Sequence, residues 1–285
     1  MSDPLVIYHA DCMDGLAAAW AVREAHPDGV ELHAAQYPEP PPPNCAGRDV
    51  IIVDFSYPRE QVEALHNVAT SLLILDHHKT AEAALKGLPY AIFDPTRSGA
   101  AMAWDHFHPG TKRPWMIDYI QDRDLWAWKL PNSNAVNAYL RMNVQKVDDL
   151  STVYLLAHDL KAREVGTTIL QVEAAYVRET IKQVARGTLR VLSTNIDAGE
   201  MSLWMTPLVP IVNAGTFCHS ELLGELAKGV PFAVGWFATA KGTYRYSLRS
   251  DPQGLDVSEI AKLFGGGGHK HAAGFEVGQP VHMLY

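Results

Sequence analysis

Three short polar clusters carry the chemistry of this chain, and each stands at the end of a run of apolar residues. His9-Ala10-Asp11-Cys12-Met13-Asp14-Gly15 follows the run at 5–8, Asp54 lies at the end of the run at 50–55, and Asp76-His77-His78 follows the run at 72–75. A lone aspartate in such a place would read as a helix cap and a lone histidine as a solvated loop residue. Three successive runs that each deliver acids or imidazoles point instead to a metal centre. Mixed imidazole and carboxylate donors suit Mn²⁺, Zn²⁺ or Fe²⁺ better than Ca²⁺, which takes oxygen alone.

The elements that must position these donors are legible around them. The runs at 5–8, 50–55 and 72–75 are short and rich in branched or aromatic residues, as buried strands are. Between them, 16–24 and 58–69 read as helices. The second opens with Pro58 in its first turn and repeats Val62, Leu65, His66, Ala69 on one face. Strand and helix alternation implies a parallel sheet with right-handed crossovers and a ligand crevice at the carboxyl ends of the strands. The proline-rich stretch 37–44 reads as a rigid surface connection.

From 114 to about 187 the pattern is mostly helical, ending in a linking helix that carries Val165, Ile169, Val172, Tyr176 and Ile181. Beyond it the pattern turns to strands at 201–205, 209–213, 232–239 and 243–249, with helices at 220–227 and 257–264. The fold class is therefore α/β in two parts: a parallel-sheet domain over 1–160, a linking helix over 161–188 and a smaller α/β domain over 189–285.

Composition narrows the function classes. The 285 residues are 47% hydrophobic and 20% charged, which excludes a disordered chain. The formal charge of −8 argues against a partner such as long duplex DNA. No apolar stretch approaches the roughly 20 residues of a membrane helix, and the first residues lack the basic-then-apolar order of a signal peptide. A cytoplasmic protein with no membrane partner is expected. Cys12, Cys45 and Cys218 are odd in number and widely spaced, which predicts reduced thiols.

With these clusters in view, the sequence resembles the DHH phosphoesterase family, named for the triplet at Asp76-His77-His78. The opening cluster resembles the family's His and paired-Asp motif, although its spacing, His-x-Asp-x-x-Asp, departs from the commoner His-x-x-x-Asp-x-Asp. Asp54 matches the second motif. The fourth motif is matched by Asp122, with Asp124 as the competing candidate. Near the other end, Gly265-Gly266-Gly267-Gly268-His269 through Phe275 resembles the glycine-rich His motif of the DHHA1 substrate-binding domain, preceded by a matching strand that ends at Arg249. Read as residues alone, four glycines expose backbone N–H groups to a phosphate or sugar, or form a flexible linker.

The resemblance implies two divalent ions, Mn²⁺ first, with Mg²⁺, Co²⁺ or Fe²⁺ also compatible. His9 and Asp11 would hold one ion; Asp14, His77 and Asp122 would hold the other. Asp54 would bridge them, His78 would face the scissile phosphate, and Asp76 would orient the histidines. Arg97 and Ser98, then Arg249, Gly266, Gly267, Gly268 and His269, would hold substrate. Trp126 and Trp128 could stack on a base, although burial is the commoner fate of large aromatics.

The implied reaction is hydrolysis of short oligonucleotides to nucleoside monophosphates by a metal-activated water. Cyclic or linear dinucleotides are the alternative substrates. Exonucleases of the RecJ type, pyrophosphatases and polyphosphatases fit the two-domain length or the glycine-rich motif less well. A non-catalytic nucleotide-binding module would be expected to have lost donors that are all present here. A homodimer is compatible with the sequence.

Overall fold

The computed structural model describes residues 3–10, 12–195, 200–205, 207–281 and 283–284. The chain divides into two compact units, Met1–Leu170 and Gln171–Tyr285. The division falls inside one helix, Asp159–Ile181, which stops at the last residue of its apolar pattern and short of position 188.

The first unit contains, in chain order, β1 (Leu5–His9), α1 (Met13–Glu24), β2 (Glu31–Ala35), β3 (Asp49–Val53), α2 (Arg59–Val68), β4 (Ser71–Asp76), α3 (Lys79–Leu85) and β5 (Ala91–Phe93). Then come α4 (Gly99–Phe107), α5 (Trp115–Asp124), α6 (Ser133–Asn143), α7 (Val147–Leu156) and α8 (Asp159–Ile181). The five strands pair in parallel in the order β2-β1-β3-β4-β5. The chain runs from β1 outward to β2 and then crosses back to β3, so the topology switches between β1 and β3. Connections leave these two strands in opposite directions, which opens a crevice at their carboxyl ends.

The three central strands, β1, β3 and β4, are buried on both faces, and their alternate residues feed two cores. Val6, Val53 and Leu75 pack with α1 and α4 to α7, while Leu5, Ile7, Ile52 and Ile74 pack with α2 and Leu85 of α3. Helix α1 has no polar face: Ala17, Ala18, Ala19, Trp20 and Ala21 are fully buried. Its alanines favour the helix and leave room for α4, which starts Gly-Ala-Ala, to pack closely. Trp20 fills the seam by stacking on Trp104 at 5.5 Å and donating its indole N–H to Ser151 Oγ at 2.9 Å. Among the described residues, no helix is long and apolar enough to cross a membrane.

The second unit holds β6 (Ala185–Asn195), β7 (Glu200–Met205), β8 (Val209–Asn213), α9 (His219–Leu226), β9 (Ala233–Ala238) and β10 (Tyr244–Arg249). It closes with α10 (Val257–Lys262), β11 (Gly267–His269), β12 (Ala272–Val277) and β13 (Met283–Leu284). Its sheet runs β11-β12-β10-β9-β8-β6-β13, with β7 on β6; β8 and β9 pair in parallel and the other pairs are antiparallel. Helix α10 covers one face over Val234, Tyr246, Leu248 and Phe275, and α9 covers the other over Val212 and Ala233.

Candidate metal centre

The crevice at the switch point is where the donors meet. His9 ends β1, Asp54 follows β3, and Asp76 ends β4 ahead of His77 and His78. Asp54 takes a left-handed backbone, φ 55°, with its N–H donating to Leu75 O at 2.9 Å. Aspartate tolerates this conformation better than most residues. Its side chain is only 1% exposed. One carboxylate oxygen, Oδ1, lies 3.1 Å from His77 Nε2, and the other, Oδ2, has no hydrogen-bond donor and lies 3.7 Å from His9 Nδ1. Burial alone would raise this carboxyl, but His77 and His9 beside it outweigh burial and hold it at about 2.

His77 Nε2 faces three carboxylates: Asp54 at 3.1 Å, Asp124 Oδ2 at 3.5 Å and Asp14 Oδ2 at 3.9 Å. Burial works against its charge, yet the Asp54 hydrogen bond and the three negative neighbours lift it to about 9. Asp76, fully buried, stands behind both histidines. Its Oδ1 accepts the backbone N–H of His77 at 2.7 Å and that of His78 at 3.3 Å, and pairs with His78 Nδ1 at 2.7 Å, while Oδ2 accepts from Ser56 Oγ at 2.6 Å. The Asp76 contact raises His78 above its ordinary range. With Nδ1 so engaged, Nε2 is the nitrogen of His78 free for another partner, on a side chain that is 46% exposed.

Asp14 ties the centre to α4. Its Oδ2 accepts the N–H of Gly99 at 2.6 Å and its Oδ1 that of Ala100 at 3.1 Å, so the carboxylate caps the positive end of that helix. Burial pushes Asp14 well above the usual carboxylate range, and Asp54 and Asp124 add to the push. Gly99 makes this docking possible, because a Cβ there would sit 2.5 Å from Asp54 Cβ. Gly15 is likewise required, since a Cβ would sit 2.3 Å from the His9 carbonyl oxygen.

For the fourth motif, the geometry favours the competing candidate. Asp124, the last residue of α5, reaches His77, whereas Asp122 accepts the N–H of Lys129 at 2.8 Å and of Leu130 at 3.2 Å and so closes the loop after the helix. Residues two apart on a helix point about 200° apart, so only one of the pair can face the centre. Asp11 lies outside the described residues. Cys12, which sequence reasoning gave no role, stands with His9 and Asp54 in a group whose donor atoms all lie within 4.8 Å of one another. Burial, with the charges of Asp54 and Asp14, pushes its thiol to about 12. Two further groups meet the same distance condition: Asp54 with Asp76, His77 and His78, and Asp14 with His77 and Asp124. The buried Asp54 oxygen without a donor, set among imidazoles and carboxylates, fits a divalent cation.

The remaining candidates separate into committed and free side chains. Arg97, expected near phosphate, donates to Asp94 Oδ2 at 2.6 Å and Asp105 Oδ2 at 3.0 Å. Ser98 is fully buried and caps α4 by accepting from the Ala101 N–H. Trp126 is 74% exposed, with φ 54°, and lines a cavity of about 310 Å³ with Asp14, Arg123 and Asp124.

In the second unit the glycine run passes from a turn at Gly265 into the hairpin strand β11, which starts at Gly267. A Cβ on Gly266 would sit 2.2 Å from Gly274 O and one on Gly268 would sit 2.6 Å from Ala272 O, while Gly267 meets nothing within 4 Å. His269 is exposed at the end of β11. Arg249 donates to Ser220 Oγ at 3.1 Å and to the Leu248 carbonyl at 2.9 Å, and among the described residues no carboxylate lies within ion-pair distance of it.

No family model matches the chain. An uncharacterized protein of Acanthamoeba polyphaga mimivirus is 29% identical over 293 residues, covering 95% of this chain and 66% of that protein. Oligoribonuclease NrnB of Bacillus subtilis is 40% identical over 77 residues, which are 27% of this chain and 19% of NrnB. The chain thus spans less than two thirds of the length of either relative. Among solved structures, the pGpG-specific phosphodiesterase PggH of Vibrio cholerae matches 97% of this chain and 93% of its own, with a TM-score of 0.52 and 14% identity. That likeness shows a shared fold.

Proposed function

We propose that the chain is a DHH-type phosphoesterase that hydrolyses short oligonucleotides to nucleoside monophosphates with two divalent ions, Mn²⁺ first among them. The observation that carries this reading is Asp54, a buried carboxylate at the switch point with one oxygen toward His77 and the other toward His9, the disposition a bridging ligand needs. The local identity with an oligoribonuclease supports the substrate class.

His9 and Asp54 would hold one ion, with Asp11 completing the set, and Asp54, His77, Asp14 and Asp124 would hold the other. Bound there, the ions supply a water of lowered pKa and a clamp on a phosphate oxygen. Asp76 holds His78 by Nδ1 and favours its protonated form, so Nε2–H donates to the phosphate that enters the crevice. Arg249, Gly267 and His269 of the second unit offer one guanidinium, a glycine with open space where a side chain would stand and an exposed imidazole to a nucleotide.

The fold shared with a pGpG-specific phosphodiesterase supports a narrower second reading, hydrolysis confined to linear dinucleotides. Product analysis separates the readings: Mn²⁺ is added to chelator-stripped protein with a linear dinucleotide, a longer oligomer, a cyclic dinucleotide and pyrophosphate. Mononucleotides from the dinucleotide and the oligomer support the first reading, and from the dinucleotide alone the second. Cleavage of pyrophosphate only, or metal binding without turnover of any phosphodiester, overturns both.

A further inference from the structure

Cys12 stands apart from the other cysteines of the chain. Cys45 donates its thiol to the Pro42 carbonyl and Cys218 is buried at the start of α9, but Cys12 lies where β1 passes into α1, beside the centre. Its sulfur, a His9 nitrogen and an Asp54 oxygen lie within 4.8 Å of one another, a spacing that one ion can span. A cysteine near two other donors would mean little alone. The independent observation is Asp54 Oδ2: the side chain is 1% exposed, its other oxygen is taken by His77, and this oxygen accepts no hydrogen bond while it faces His9 at 3.7 Å. A buried carboxylate oxygen left without a donor is costly, and a shared cation removes that cost.

We propose that His9, Cys12 and Asp54 form a thiolate-containing metal position, so that the two positions of the centre differ in donor chemistry and load different ions. This rests on the metal-dependent reading above and adds to it. On the other side of Asp54, Asp14, His77 and Asp124 offer one nitrogen and otherwise oxygen. Oxygen-rich sets suit Mg²⁺ and Mn²⁺, whereas a thiolate favours Zn²⁺, Co²⁺ or Fe²⁺. On binding, the Cys12 S–H bond breaks, its proton passes to water, and the sulfur pair forms the bond to the cation. No oxidant or reductant takes part.

The test is a Co²⁺ titration of the chelator-stripped full chain, followed by absorption. A thiolate on Co²⁺ gives a charge-transfer band in the near ultraviolet, while nitrogen and oxygen donors give only the weak visible bands. The wild type, C45S and C218S should all show the near-ultraviolet band; C12S should lose it and keep visible bands. Zn²⁺ affinity should fall in C12S by at least on the order of tenfold, the loss that removing even an outer partner of a metal ligand brings. If C12S does not fold, C12D serves in its place: it keeps an anionic oxygen donor, should bind Mn²⁺, and should still lack the band. Wild type that binds Co²⁺ without the band, or C12S that retains it, overturns the thiolate position and leaves the metal-dependent reading standing. Wild type that binds no Co²⁺ overturns both.

Discussion

The contact between His77 and Asp54 makes a prediction about the metal-free protein. His77, buried beside three carboxylates, is held at about 9 against an ordinary 6.5. A group whose pKa rises on folding stabilises the fold while it is protonated, fully so below its unfolded value, and the contribution is lost as pH climbs through the folded value. The interval from 6.5 to about 9, at about 1.4 kcal/mol for each pH unit, is worth about 3 kcal/mol. Asp14 and Asp124 are also raised, so their contributions too are lost as pH climbs, starting from the ordinary carboxylate range, and they are kept apart from the His77 figure. Asp54, held at about 2, reports the same contact from its acid side and is not counted twice. Chelator-treated protein should therefore lose about 3 kcal/mol of unfolding free energy between pH 6.5 and 9 in urea titrations. Asp54→Asn removes the main partner and should flatten that slope by at least half, while the His77 ring resonances in an NMR titration shift their midpoint toward 6.5. A flat wild-type profile over this window, or a His77 midpoint near 6.5 in the wild type, would refute the reasoning.

Three further outcomes follow from the geometry. Gly99→Ala places a Cβ 2.5 Å from Asp54 Cβ, so it should cost about 1–3 kcal/mol by urea unfolding, the usual range for overpacking, and weaken Mn²⁺ binding by calorimetry. Asp124→Asn should lower Mn²⁺ affinity by at least on the order of tenfold, whereas Asp122→Asn should keep the affinity and lower the melting temperature, because it loosens the loop at Lys129 and Leu130. Arg249→Ala should reduce hydrolysis of a short oligonucleotide by about tenfold to a hundredfold, as the loss of a charge-assisted hydrogen bond does, and leave a small activated phosphodiester nearly unaffected. Equal losses on both substrates would show that Arg249 acts in folding instead.

What the sequence made legible was the apolar part of the fold and the donors that end it. The runs before His9 and Asp76, and the one containing Asp54, could be placed because each strand is buried on both faces and therefore uniformly apolar. Strand β2 escaped because Glu-Leu-His-Ala-Ala is an edge strand, mostly exposed or half-exposed, with no apolar run to mark it. The first residues of β6 were read as the tail of the linking helix over 161–188, although the helix ends with its last apolar position at Ile181. The choice between Asp122 and Asp124 was beyond sequence because both lie on the same short helix and only its rotation decides which faces inward. Gly99 had a signal, a glycine at a helix start, but its reason lies 45 positions away at Asp54. The pairing of Arg97 was not legible either, because no pattern announces that Asp94 and Asp105, on either side of it, both accept from its guanidinium.

The donors of the centre come from five different elements or their ends: β1, α1, β3, β4 and α5. In an unfolded chain they fall into separate clusters spread between positions 9 and 124, so no one segment there offers the full donor set. An ion then binds the assembled first unit more tightly than the unfolded chain, and the difference in binding free energy counts toward keeping that unit assembled. At free metal 100 times the dissociation constant the gain is about 2.7 kcal/mol for one site. Under the proposed loading, the surrounding supply of divalent ions therefore sets how long the protein lasts as well as how fast it works, and a chelator would shorten its lifetime before any substrate is present.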